Sequence, residues 1–128
     1  MTCSAAARSP GQPVWAAGKS FGGRMASMAV AAGMPAAGLV FLGYPLHPPG
    51  KPDKVRDEHL YGIDRPMLFV QGTRDPFGTP DELEAATATI PGTVTHEWLP
   101  GGHSPKAALD ADICALVATF VASIRRRR

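Results

Sequence analysis

Cysteine is almost absent from this chain of 128 residues; Cys3 and Cys114 are the only two. Two thiols cannot build the disulfide framework that staples small secreted domains. No run of His, Cys, Asp and Glu has metal-ligand spacing, so no metal and no cofactor is expected. A reducing, cytoplasmic setting fits this composition. Long hydrophobic runs are also lacking. The longest, residues 36–42, is far short of the roughly 20 apolar residues that cross a bilayer. Residues 1–12 form an N-terminal extension without an apolar core of signal-peptide length. No membrane partner is therefore expected. Internal repeats are absent too.

A basic face is missing as well, although the formal charge is +2. Its sign comes from a basic tail, residues 125–128, all arginine. Setting those four aside leaves 9 basic residues against 11 acidic ones. The body is slightly acidic, which argues against a nucleic-acid partner. The tail suits the negative end of a last helix.

What the sequence does contain is glycine, 14 residues, and proline, 13. They are spread without a period, as punctuation between short elements. At 45% hydrophobic and 19% charged, the chain is neither a disordered polymer nor a coiled coil. Its length allows one domain, residues 1–128.

Residues 14–17 read as a buried strand and 21–32 as a helix, with Gly33 at its end and Pro35 blocking continuation. Residues 39–42 read as a second strand. The proline-rich stretch 44–52 reads as a loop, and 54–61 as room for a short helix. Residues 67–71 read as a third strand. Thr79-Pro80-Asp81-Glu82 reads as a capping box opening a helix that runs to Ile90. Residues 94–99 read as a fourth strand. Ser104-Pro105 opens a last helix, with Leu109, Ile113, Leu116, Val117, Phe120 and Ile124 on one face. Three of the four strands are apolar on both faces, as parallel strands covered by helices are. The expected fold is a three-layer α/β/α domain with a parallel four-stranded sheet. In such sheets the chemistry sits at the carboxyl ends of the strands.

Three of those ends carry chemistry. Gly18-Lys19-Ser20-Phe21-Gly22 is G-x-S-x-G between a strand and a helix. Acyl transfer needs a serine oxygen held on a sharp turn, and that turn needs small neighbours. Gly18-Lys19-Ser20 also looks like the end of a phosphate-binding loop, but that motif needs glycine where Pro13 stands. Asp75 follows the third strand; its plainer reading is a turn residue before proline. His103 follows the fourth, with a solvated loop histidine as its plainer reading. Together they run in the order nucleophile, acid, histidine, each past a different strand, which is the order of an α/β-hydrolase triad. Ser20, Asp75 and His103 are thus the expected catalytic residues. Tyr44, His47 and Phe77 are candidates for the substrate rim, while His59 and His96 read as surface or strand positions.

The segments Gly18-Lys19-Ser20-Phe21-Gly22-Gly23-Arg24, Gly43-Tyr44-Pro45-Leu46-His47-Pro48, Arg56-Asp57-Glu58-His59-Leu60, Pro66-Met67-Leu68-Phe69-Val70-Gln71-Gly72-Thr73-Arg74-Asp75 and Gly102-His103-Ser104 resemble the C-terminal half of an α/β-hydrolase fold of the dienelactone-hydrolase-related kind. More narrowly, the chain is similar to the family containing the testis-expressed-thirty proteins and the third regulatory subunit of the NSL histone-acetyltransferase complex, with its bacterial members. The resemblance implies a serine hydrolase acting on a small-molecule acyl substrate. Ser20 stands where dienelactone hydrolases proper carry cysteine, which favours esterase-like chemistry. Whole domains of this kind hold further strands ahead of the elbow, and with them one of two oxyanion-hole donors. The Phe21 N–H is the donor expected from this chain. An activity impaired by truncation is one expectation. The alternative is a non-catalytic interaction module or an inactive fragment. The first strand, lacking its outer neighbours, is expected to leave an open edge through which copies of the chain could pair.

Overall fold

The structure, a computed structural model, describes residues 14–126. The N-terminal extension and the end of the arginine tail lie outside the described residues. Four strands form one parallel sheet in the order β1 (Trp15–Lys19), β2 (Gly38–Leu42), β3 (Met67–Gly72) and β4 (Val94–Leu99). Helix α1 (Phe21–Ala31) joins β1 to β2, and α2 (Pro80–Thr87) joins β3 to β4. A short 3-10 helix, Glu58–Gly62, precedes β3, and α3 (Asp110–Arg126) ends the described chain.

The side-chain alternation of the central strands builds the three layers. Leu39, Phe41, Met67 and Phe69 point to one face and enter a core with Leu60 and Leu83, against which Ala26 and Val30 of α1 also pack. Val40, Leu42, Leu68 and Val70 point to the other face and meet Ile113, Phe120 and Ile124 of α3. Both faces of β2 and β3 are therefore buried, which is why their sequences are apolar without a break. Aligned positions Phe41 and Phe69 pack against each other on neighbouring strands, with ring centroids 4.7 Å apart and the planes tilted by 30°.

The structure adjusts several boundaries. Strand β1 continues through Gly18 and Lys19, which pair with Phe41 and Leu42. Residues 54–57 are not helical, so the expected short helix shrinks to the 3-10 segment. The capping box forms as read, with Thr79 Oγ1 accepting from the Glu82 N–H and the Glu82 carboxylate accepting from the Thr79 N–H. The last helix opens later than Ser104-Pro105. Lys106 is extended, residues Ala107–Leu109 make one 3-10 turn, and α3 begins with Asp110 and Asp112 in its first turn, where acids suit the helix dipole. The segment Ala107–Ile124 has a mean hydropathy of 1.8 and is, by length and composition, apolar enough to cross a membrane. Asp110, Asp112, Thr119 and Ser123 break it into apolar runs of six residues or fewer. Here its Ile113, Phe120 and Ile124 lie buried against the sheet.

Candidate active site

Ser20 sits where β1 meets α1. Its N–H still belongs to the sheet, donating to the Leu42 carbonyl at 2.9 Å, while the next residue opens the helix. The turn forces φ 53° and ψ −124° on Ser20, the one non-glycine residue at positive φ among those described. Such a conformation costs of order 1–3 kcal/mol and is held by its surroundings. Those surroundings are tight. A Cβ on Gly18 would lie 2.3 Å from the Gly23 nitrogen, and one on Gly23 would lie 2.8 Å from the Gly18 carbonyl oxygen. Gly22, the second glycine of the motif, meets nothing within 4 Å among the described residues. The close contact that fixes the turn is thus between Gly18 and the peptide joining Gly22 to Gly23.

The turns after β3 and β4 converge on the same point. The Asp75 carboxylate is fully buried. Its Oδ1 accepts from the Phe77 N–H at 2.8 Å, and its Oδ2 lies 2.8 Å from His103 Nδ1. A carboxylate only accepts, so Nδ1 carries the ring proton and donates it. Nε2 then presents its lone pair to the Ser20 hydroxyl, 2.7 Å away. Three residues separated by 28 and 83 positions form one hydrogen-bonded line. Space for it comes from glycine at two places. A Cβ on Gly43, at φ +74°, would press on the His103 carbonyl and ring, and one on Gly72 would lie 2.1 Å from the Gly102 carbonyl oxygen. Phe77 covers the imidazole, with ring centroids 4.2 Å apart.

Phe21, at 51% exposure, is the first residue of α1, and the first N–H groups of a helix have no partner within it. The Arg56 guanidinium lies 5.9 Å above its ring. An imidazole lone pair on a strained serine hydroxyl, beside a helix N-terminus, can take the serine proton and stabilise an adjacent anion.

The rim candidates fall differently. Tyr44 is a core residue, not a rim residue. It is fully buried against Phe41 and Phe69, and its hydroxyl donates to the Arg56 carbonyl. Burial pushes its phenol pKa well up. His47 is also turned inward, bonded to Glu82 and to the Pro48 carbonyl. Phe77 is the one of the three that touches the Ser20–His103–Asp75 line.

Of the remaining histidines, His96 stands in β4 as expected, bonded to Thr87 Oγ1 and stacked on Trp98. His59 is not a solvated residue; it is half-buried, with Nε2 2.6 Å from the hydroxyl of the buried Ser27. No group of three or more His, Cys, Asp or Glu among the described residues could hold a metal ion.

Sequence reasoning missed Gln71. Its buried amide accepts from the Tyr44 N–H and donates to the carbonyls of Tyr44 and Gly78. It thereby ties the loop after β2 to the loop that carries Asp75. A polar residue ending an apolar strand run was the available signal.

A four-stranded parallel sheet covered by helices on both faces, with a strained serine turn after its first strand, is the architecture of the α/β-hydrolase class. The chain matches the family described as an alpha/beta hydrolase domain over residues 2–114. It belongs to that family. Among solved structures it is similar to an esterase of Pyrococcus furiosus, at a TM-score of 0.71 and 12% identity, covering 85% of this chain and 53% of the esterase. It is also similar to an alpha-beta serine hydrolase homologue from Coxiella burnetii, at 0.59 and 19%, covering 88% of this chain and 49% of that one. A third is the type II thioesterase BorB from the borrelidin biosynthetic cluster, at 0.61 and 19%, covering 85% of this chain and 65% of the thioesterase. The chain thus spans about half the length of the first two.

Proposed function

We propose that the chain carries the reacting centre of a serine hydrolase acting on a carboxylic ester or related acyl bond of a small molecule. The observation that carries this reading is the line Ser20 Oγ, His103 Nε2, His103 Nδ1, Asp75 Oδ2, with both links below 3 Å. Ser20 Oγ attacks the acyl carbon while its proton passes to His103 Nε2. The imidazolium, held in place by the Asp75 carboxylate, then protonates the leaving alcohol. The carbonyl oxygen carries the negative charge of the tetrahedral intermediate and meets the Phe21 N–H. Water repeats the sequence on the acyl-serine, with His103 again taking and returning the proton. No step calls on a cofactor. Phe77, beside the imidazole, is the residue of this chain placed to touch substrate.

The esterase and thioesterase named among the similar structures support the reaction class. Within the class, the block Tyr44-Pro45-Leu46-His47 supports membership of the testis-expressed-thirty and NSL third-subunit family, related to dienelactone hydrolases. The same reading includes a cytoplasmic setting and pairing of copies along the outer edge of β1.

Labelling with a fluorophosphonate tests the centre. The chain is expected to label and Ser20→Ala to lose the label together with ester turnover. Labelling unchanged in Ser20→Ala would overturn the reading. A folded chain that neither labels nor turns over ester would favour an interaction module.

A further inference from the structure

His47 is 4% exposed, yet both its ring nitrogens are engaged by groups that accept. Nδ1 lies 2.8 Å from the Pro48 carbonyl oxygen, which has no proton to give. Nε2 lies 3.0 Å from Glu82 Oε1. That oxygen already receives the Thr79 N–H at 3.0 Å and the Thr79 hydroxyl at 3.1 Å, so a proton on it would face two donors. Both nitrogens of His47 must donate, and only the imidazolium has two N–H groups. A neutral ring would set a lone pair against an acceptor, an unfavourable arrangement on a ring that is itself buried. The charged groups around it agree. Glu82 faces it from α2, Asp75 contributes from the loop after β3, and Asp57 lines the open cavity that His47 and Glu82 also line.

The clamp holds the segment that serves the reacting centre. The His47 backbone N–H donates to the Phe77 carbonyl at 3.0 Å. Its side chain grips Glu82, which also caps the helix beginning just after that segment. Between these two anchors, Phe77 gives its N–H to Asp75 and lays its ring on His103. We propose that His47 is a positioning residue. As an imidazolium it clamps residues 75–79 between the loop after β2 and the cap of α2, and so holds Asp75 and Phe77 in line with His103. The proposal rests on the hydrolase reading for its effect on rate, but not for its effect on the His103 ring.

Imidazole NMR across a pH titration, combined with pH–rate profiles of the full chain, tests it. His47 is expected to be protonated at pH 7. The His103 Nδ1–H resonance should shift or broaden with the His47 midpoint. The kcat, more than KM, should fall over the same alkaline range. Glu82→Gln removes the facing charge and should move the midpoint and the falling limb to lower pH by about one unit, the size typical of one opposite charge at this range. His47→Gln should abolish that limb while circular dichroism shows the fold retained. A neutral His47 ring at pH 7, or a His103 resonance blind to the His47 titration, would overturn the clamp. If no substrate turns over, the hydrolase reading fails while the two NMR signals still decide the clamp.

Discussion

The Ser20–His103–Asp75 line depends on single atoms, and Asp75 shows it most directly. Its two oxygens have different duties, Oδ1 holding the Phe77 N–H and Oδ2 fixing the proton on His103 Nδ1. Asp75→Asn keeps the size of the side chain and the Oδ1 acceptor. It can put an amide N–H where Oδ2 was, and a donor there favours the ring tautomer with its proton on Nε2, facing Ser20. Such an imidazole cannot take the serine proton. The expected outcome is a fall in kcat of about 10⁴-fold with a near-native melting temperature, checked by ester turnover beside thermal denaturation. A loss of less than tenfold would mean that Asp75 only braces its own turn. The convergence of Ser20, Asp75 and His103 was legible in the sequence because each follows a strand that can be read locally, β1 and β3 from their apolar runs and β4 from its alternation. The inward turn of Tyr44 and His47 was not, because their partners Gln71 and Glu82 lie 27 and 35 positions away. Nothing local says which of two loop polar groups will meet a partner and which will face water.

Among the elements, the same division between local and distant information holds. The cap of α2 is written in four consecutive residues, and β4 has the bounds its alternation suggests. The true start of α3 is hidden because Pro105 satisfies the rule for a helix opening, yet Lys106 behind it is extended. The tie between the loops after β2 and β3 hangs on Gln71, which serves three buried backbone groups. Gln71→Leu fills similar space and leaves the Tyr44 N–H and the Gly78 carbonyl without their partner, while the Tyr44 carbonyl keeps the Leu46 N–H; the cost is about 1–3 kcal/mol for each orphan that water cannot reach. Thr79→Ala removes the acceptor that caps α2 and an exposed donation to Glu82 Oε1, and about 1 kcal/mol is typical for losing such a cap. Urea denaturation is therefore expected to rank Gln71→Leu as clearly the more destabilised of the two. Gln71→Leu should also lower ester turnover, since Gly78 belongs to the turn that carries Asp75. Equal losses in the two variants would mean that the loops hold together without the amide bridge.

Across the whole molecule, three histidines packed in different places make folding stability depend on pH in opposing directions. Burial holds His59 below the ordinary histidine value of 6.5, with Arg24 adding to the effect, and burial does the same to His96. For His47 burial also pulls downward, but Glu82 and the Pro48 carbonyl outweigh it and the net shift is upward. A histidine lowered on folding binds its proton more readily in the unfolded chain. The stability it contributes is complete above 6.5 and is lost as pH falls toward its folded value. A histidine raised on folding does the reverse; its contribution is complete below 6.5 and is lost as pH rises through its folded value. Glu82, held down by His47 and by the Thr79 N–H, adds a loss at lower pH still. The melting temperature is therefore expected to peak near pH 6.5 and to fall on both sides. His47→Gln should flatten the alkaline side and leave the acid side in place, whereas His96→Gln should weaken the acid side alone. Differential scanning calorimetry between pH 5 and 9 reads all three curves. An alkaline fall that survives His47→Gln intact would show that the clamp does not couple to global unfolding.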